Sequence, residues 1–269
     1  MNWWEALLIG FIQGISEFLP ISSTAHLLLA RQIFAFETQA DTELVLEVFL
    51  HAASLLAVIL YFSRDLLRIV KDFILYLTNK QQKHYNHYRF GCLLLLSTFV
   101  TMGAGKGLEY VLGEQLTTIA LIGASLIITG IFLVLIEHGV DRGMRKELTW
   151  RDGVLIGLGQ ALAVIPGISR SGSTLIAALW CGLSKEVALR YSFLLSIPII
   201  LGISIIKLPE LAQGSYSDQW PSLMLAFLSA FFFALLSIKW LIAMVQNSKL
   251  TYFACYCIGL GLFSWIFLA

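Results

Sequence analysis

Two short stretches hold the residues whose types and spacing could do chemistry. In the first, Gln13 and Glu17 stand four apart, which puts both side chains on one helical face about one turn apart. A carboxylate with an amide neighbour offers oxygen ligands to a hard cation such as Mg²⁺ or Ca²⁺. A helix–helix hydrogen bond would use the same pair, but a Glu in an apolar run is an expensive way to make one. Pro20-Ile21-Ser22-Ser23-Thr24-Ala25-His26 follows. Its hydroxyls, with His26 three residues after Ser23, suit a nucleophile and its base, or hydrogen bonds to an anion. Ser22 or Ser23 also suits the N-cap of a following half-helix. The second stretch is Pro166-Gly167-Ile168-Ser169-Arg170-Ser171-Gly172-Ser173-Thr174. Its glycines let backbone approach a ligand, a helix start favours an anion, and the Arg170 guanidinium matches phosphate oxygens. A lone Arg at membrane depth needs a counter-charge, which Glu17 or a bound phosphate supplies. Together the clusters point to phosphate ester or diphosphate chemistry on a lipid phosphate.

These residues must be positioned by membrane elements. The chain has 269 residues, 58% of them hydrophobic and 13% charged, with a mean hydropathy of +0.81. Soluble domains carry about 25% charged residues, so a soluble or disordered chain is excluded, and continuous rather than alternating apolar runs argue against a β-barrel. The expected fold is all-α: one polytopic membrane domain over residues 1–269. Net charge is +1, which gives no reason to expect a nucleic-acid partner. Cys92, Cys181, Cys255 and Cys257 lie in apolar runs and read as small core residues. The start Met-Asn-Trp-Trp-Glu has neither the basic region nor the small-residue site of a cleavable signal peptide.

Six segments are long enough to span: Glu43–Phe62, Phe90–Leu108, Leu116–Ile136, Val187–Leu208, Pro221–Val245 and Leu250–Leu268. Their connectors read as short and polar, the largest being Ser63–Arg89 and Glu137–Arg151. Trp3–Phe36 and Gly153–Leu183 are broken at their centres by the two polar stretches. Their halves fall short of a hydrocarbon core of about 30 Å, so both read as re-entrant helical hairpins with buried tips. With that topology 14 of the 18 Lys and Arg fall on one side, including Arg64, Arg89, Arg142, Arg190, Lys239 and Lys249. The positive-inside rule places that side in the cytoplasm and both termini outside. Ile9-Gly10-Phe11-Ile12-Gln13 aligns with Ile156-Gly157-Leu158-Gly159-Gln160, and Ile21-Ser22 with Ile168-Ser169. This reads as an inverted-topology repeat of about residues 1–137 and 150–269.

The two polar stretches, and Tyr191-Ser192-Phe193-Leu194-Leu195-Ser196-Ile197-Pro198, resemble the bacterial undecaprenyl-diphosphatases, the bacitracin-resistance family, over essentially the whole chain. The resemblance implies hydrolysis of undecaprenyl diphosphate to undecaprenyl phosphate and inorganic phosphate. That reaction recycles the carrier lipid for peptidoglycan and other wall polymers. It further implies an Mg²⁺ or Ca²⁺ cofactor, a polyprenyl diphosphate partner among membrane lipids, and a site opening to the outer face of the inner membrane. Carried over by position, Gln13 and Glu17 are the metal residues, and Glu17, Ser23, His26 and Arg170 the catalytic ones. Ser23 would be the nucleophile, and His26 would handle its proton. Ser22, Thr24, Gly167, Ser169, Ser171, Gly172, Ser173 and Thr174 would contact phosphate. Gln13 stands where many members have Glu, which leaves less charge for a metal. Glu47 is a further candidate ligand, and His51 reads as packing or a helix contact. A direct attack by metal-bound water fits the sequence equally well. A lipid-phosphate transporter or flippase would use the same pocket, and self-association as a homo-oligomer is left open. A phosphatase of the phosphatidic-acid type fails, because all five His precede Ser169.

Overall fold

A computed structural model of the chain describes residues 1–34, 40–113, 118–139, 145–211 and 219–268. Phe36, Leu116 and Arg142 lie outside the described residues. Eleven α-helices and no strand occur among the described residues. Six are long and apolar enough to cross a membrane: α3 (Ala40–Tyr61), α5 (Tyr85–Leu112), α6 (Ile119–Gly139), α9 (Lys185–Leu211), α10 (Trp220–Gln246) and α11 (Leu250–Phe267). The chain is a multi-pass membrane protein.

The two broken regions form pairs of short helices, α1 (Trp3–Phe18) with α2 (Ser23–Phe34), and α7 (Trp150–Ala161) with α8 (Arg170–Trp180). At about 1.5 Å per residue, α1 measures roughly 24 Å and α8 roughly 16 Å. Local chemistry sets their ends. Leu19 is extended ahead of Pro20, which has no N–H to continue α1. Thr149 and Asp152 form a capping box at the start of α7, and the Arg145 guanidinium grips Asp152 through two bonds of 2.7 and 2.9 Å. A 3₁₀ turn, Leu162–Val164, precedes Pro166. The Ser169 hydroxyl caps α8 by accepting from the Gly172 N–H at 3.1 Å.

The expected polar connector at Ser63–Arg89 is mostly helix. Ser63–Asn79 forms α4, whose Phe73 lies against Gly91 and whose Tyr76 packs on Tyr85 and Tyr88 of α5. Asp72 accepts from His84 Nδ1 at 2.7 Å and His87 Nδ1 at 2.5 Å, closing this hairpin. Desolvation opposes the charge on Asp72, and the two imidazoles outweigh it, holding the carboxyl below its ordinary range.

Each broken pair packs through its first helix on a distant span: α1 runs along α10, and α7 along α5. Small residues make these crossings close. A Cβ on Gly10 would lie 2.7 Å from Ser229 Cβ, and one on Gly157 2.8 Å from the Ser97 carbonyl oxygen. Hydroxyls bridge the same seams, Ser229 to the Leu7 carbonyl at 2.9 Å and Ser97 to the Gly153 carbonyl at 2.6 Å. α6 and α11 meet reciprocally, Gly123 against Gly261. Gly10→Val is expected to lower the melting temperature of the purified protein by several degrees, since overpacking costs about 1–3 kcal/mol. Gly103→Ala, which points into open space, is the control and should not lower it. An unchanged melt for Gly10→Val would sink this account of the α1–α10 seam.

Candidate active site

The two tips touch. Ser171 Oγ donates to the Leu19 carbonyl at 3.0 Å, and a Cβ on Gly172 would stand 3.2 Å from Pro20 Cβ. Beneath them Phe18, Leu19, Ile21, Leu175 and Phe193 are buried in the main core, so the polar tips rest on a packed apolar floor. At this junction the last turn of α1 meets the first turns of α2 and α8.

Glu17 is the centre of the arrangement, with a side chain 1% exposed. Its Oε2 accepts from Ser23 Oγ at 2.8 Å and from Gln13 Nε2 at 2.9 Å, and its Oε1 is ion-paired with Arg170 Nη2. Two hydrogen-bond donors and a guanidinium therefore converge on one buried carboxylate. Gln13 Nε2 also lies 3.4 Å from His51 Nδ1, and His51 Nδ1 stands 3.9 Å from Glu17 Oε1. Because the Gln13 amide can only donate there, His51 Nδ1 accepts and its Nε2–H faces Glu47 Oε1 at 3.7 Å. Glu47 in turn pairs with Lys207 at 2.6 Å. His51, read from sequence as packing or a helix contact, makes a contact from α3 to α1 and joins the charged network, and it lies between Glu47 and Glu17.

His26 has other partners. Its Nδ1–H donates to the Ser22 carbonyl at 2.8 Å, which leaves Nε2 to accept from the Tyr256 hydroxyl at 2.7 Å. The two rings stack at 5.5 Å and 13°. The proton of Ser23 accordingly points at Glu17, not at His26. Tyr256 had no signal in the sequence beyond being an aromatic in a span.

The remaining hydroxyls and glycines divide. Thr174 pairs with Ser192 of α9 beside Arg170, Ser171 ties the tips, and Ser169 caps α8. Thr24 is exposed, and Ser173 faces an apolar groove with Phe132 and Trp180. Ser22 is buried, with a left-handed φ of 69° at the turn into α2. Gly167, at φ 98°, is pressed to α6: a Cβ there would sit 2.6 Å from the Ile122 carbonyl oxygen. The backbone freedom expected to admit a ligand at Gly167 and Gly172 instead admits α6 and Pro20.

Arg170, Glu17, Thr174, Ser192 and Gln160 line a cavity of about 10 Å³. That is room for about one water and far too little for a diphosphate. For a metal, the fit rests on oxygen donors. Gln13 Oε1 is buried without a partner, one turn from the Glu17 carboxylate. Among the described residues no cluster of three His, Cys, Asp or Glu forms a self-sufficient cage. Two protein oxygens suit Mg²⁺, which keeps waters and shares phosphate oxygens, better than Ca²⁺, which takes 6–8 ligands.

The bacitracin resistance protein BacA family matches residues 6–263. This chain belongs to that family. BacA-family relatives align along nearly their full length. Undecaprenyl-diphosphatase 2 of Halalkalibacterium halodurans is 46% identical over 264 residues, covering 96% of this chain and 94% of that protein. Undecaprenyl-diphosphatase 1 of Shouchella clausii is 41% identical over 271 residues, 99% of this chain and 97% of that one. Undecaprenyl-diphosphatase of Oceanobacillus iheyensis is 34% identical over 275 residues, 99% and 98%. The junction of the two tips in this BacA-family chain is therefore the place to look for phosphatase chemistry.

Proposed function

We propose that this protein hydrolyses undecaprenyl diphosphate to undecaprenyl phosphate and inorganic phosphate in the bacterial inner membrane. It thereby recycles the carrier lipid for peptidoglycan and other wall polymers and confers bacitracin resistance. The names of the relatives supply the substrate. One observation carries the chemistry: a buried carboxylate, Glu17, holds both a hydroxyl nucleophile, Ser23, and a phosphate-matching guanidinium, Arg170. We further read the two broken pairs as re-entrant hairpins of an inverted repeat, residues about 1–137 and 150–269. The site then opens to the outer face, both termini lie outside, and the basic connectors lie in the cytoplasm. The exchange of partners, α1 on α10 and α7 on α5, supports that reading, since a two-fold relating the halves would require it.

The steps follow from the contacts. The terminal phosphate replaces Glu17 on Arg170, whose charge matches the one developing on phosphoryl oxygens. Ser23 Oγ attacks the terminal phosphorus while Glu17 Oε2 takes its proton over the existing 2.8 Å bond. The bond from that phosphorus to the bridging oxygen breaks, and undecaprenyl phosphate leaves with the electron pair. Water then cleaves the phosphoserine. A Mg²⁺ held by Gln13 Oε1 and Glu17 would, when bound, draw charge from the diphosphate oxygens. His26 and Tyr256 fix the first turn of α2, which carries Ser23. Ser22 and Thr24 flank it, and Ser169, Ser171, Gly172, Ser173 and Thr174 shape the loop that carries Arg170.

The test is phosphate release by the purified full-length protein from a long-chain prenyl diphosphate, with Mg²⁺ or with chelator, on wild type and Ser23→Ala. Release should require the cation and fall about 10²-fold or more in Ser23→Ala. Indifference to chelator removes the metal. Full activity of Ser23→Ala removes the covalent route. Lipid binding with no release favours a flippase.

A further inference from the structure

Gln160 is the counterpart of Gln13 in the second half, and the steps above give it no task. It ends α7 at the level of the crossed tips, 3% exposed, and lines the same small cavity as Glu17, Arg170, Thr174, Ser192 and Ser196. Hydrogen-bond arithmetic fixes the orientation of its amide. Thr101 Oγ1 lies 2.8 Å from the Ser97 carbonyl oxygen and 3.0 Å from that of Gly157. Carbonyls only accept, so the Thr101 hydroxyl proton is committed to them. The 3.0 Å contact between Gln160 and Thr101 is therefore a donation from Gln160 Nε2. That turns Oε1 away from α5, where it is buried without a partner. A buried acceptor left unpaired is costly enough that each instance asks for an explanation.

We propose that this cavity is a water subsite and that Gln160 Oε1 orients the water that completes hydrolysis. The proposal rests on the phosphatase reading above. A space of about 10 Å³ takes one water and excludes a phosphate. A water there has Gln160 Oε1 and the hydroxyls of Ser192 and Ser196 as partners, and Glu17 and Arg170 line the same space. Holding a hydrogen of the water on Gln160 leaves an oxygen lone pair for the phosphorus. Once Ser23 Oγ carries the phosphoryl group, the water oxygen bonds to phosphorus and the phosphorus–Oγ bond breaks. Its electron pair returns to Ser23 Oγ, which takes back the proton Glu17 received in the first step. Both water hydrogens leave on dihydrogen phosphate. At the junction of the tips the two halves then contribute an unpaired amide oxygen each, Gln13 Oε1 for a cation and Gln160 Oε1 for the water.

The experiment uses the full-length protein and a long-chain prenyl diphosphate. Gln160→Met keeps length and removes the acceptor. It should lower kcat about tenfold or more with KM within about twofold. Undecaprenyl phosphate should appear in a burst of one per enzyme ahead of slow phosphate release. Gln160→Glu keeps an acceptor and should retain most of the activity. Thr101→Val removes the anchor that aims the amide and should lower kcat several-fold. A kcat for Gln160→Met within about twofold of wild type overturns the proposal. So does a rise in KM at unchanged kcat, or a Gln160→Glu as impaired as Gln160→Met. If Gln160→Met does not fold, Thr101→Val decides, and an unchanged kcat there is fatal to the water subsite. Absence of phosphate release in wild type overturns the phosphatase reading itself, a different result from normal wild-type release with an indifferent Gln160.

Discussion

Glu17→Gln is expected to lower kcat by about 10³-fold or more, the loss appropriate to removing both a general base and the group that organises the site. The shape is conserved, so packing is not the cause. Ser23 Oγ and Gln13 Nε2 donate to Glu17 Oε2, and Arg170 Nη2 is ion-paired with Oε1. A glutamine supplies one oxygen and one NH₂. At least one of these three groups must then face an NH₂ in place of an oxygen, and Ser23 has no base. Phosphate release and a thermal melt measured together separate the effects. Retention of more than about a tenth of the wild-type kcat would mean that the Ser23 proton goes elsewhere, with His26 the first place to look.

Replacing Arg170 should be nearly as severe for activity and more severe for stability. Arg170→Lys keeps the charge but loses the planar fork, and about 10²–10³-fold in kcat/KM is the expected loss for one removed transition-state donor of this kind. Arg170→Ala leaves Glu17 buried without its cation. Breaking one side of a buried pair costs about 3–5 kcal/mol, so Arg170→Ala should melt well below wild type. Adding Glu17→Gln to Arg170→Ala removes the orphaned charge. The double variant should regain much of the stability and none of the activity, a coupling that independent sites would not give. If the double variant melts lower than either single one, the Glu17–Arg170 pair is not what joins the tips.

Much of this architecture was legible because it follows from solvent. The six spans and two interrupted regions are dictated by apolar length, and all eight appear within about five residues of those predicted limits that fall among the described residues. Gln13, Glu17, Ser23 and Arg170 stood out because an ionisable or hydroxyl-rich stretch at membrane depth needs a reason. The structure brings these four together. What could not be read depended on which helix lies beside which. His51 joins Gln13 only because α3 packs against α1. Tyr256 meets His26 across 230 positions. Gly167 looked like room for a ligand because glycine signals close approach without saying to what, and the answer is α6. The Ser63–Arg89 region looked like a polar connector because its charges masked a helical stripe, Ile69, Phe73 and Tyr76, that needed α5 as a partner to show itself.

The seam between α1 and α10 also bears on how the chain is made. α1 leaves the ribosome well before its partner, which begins at Trp220, so roughly 200 residues separate the two births. At about 5–20 residues per second the first pair waits on the order of 10–40 s. Arg170 arrives earlier than α10 but still long after Glu17. Until Arg170 is made Glu17 lacks that cation, and an unpaired carboxylate in apolar surroundings costs several kcal/mol. The α1–α10 seam can therefore close only once α10 has been made. Among the described helices, the one that carries Glu17 waits across the longest stretch of chain for its main partner.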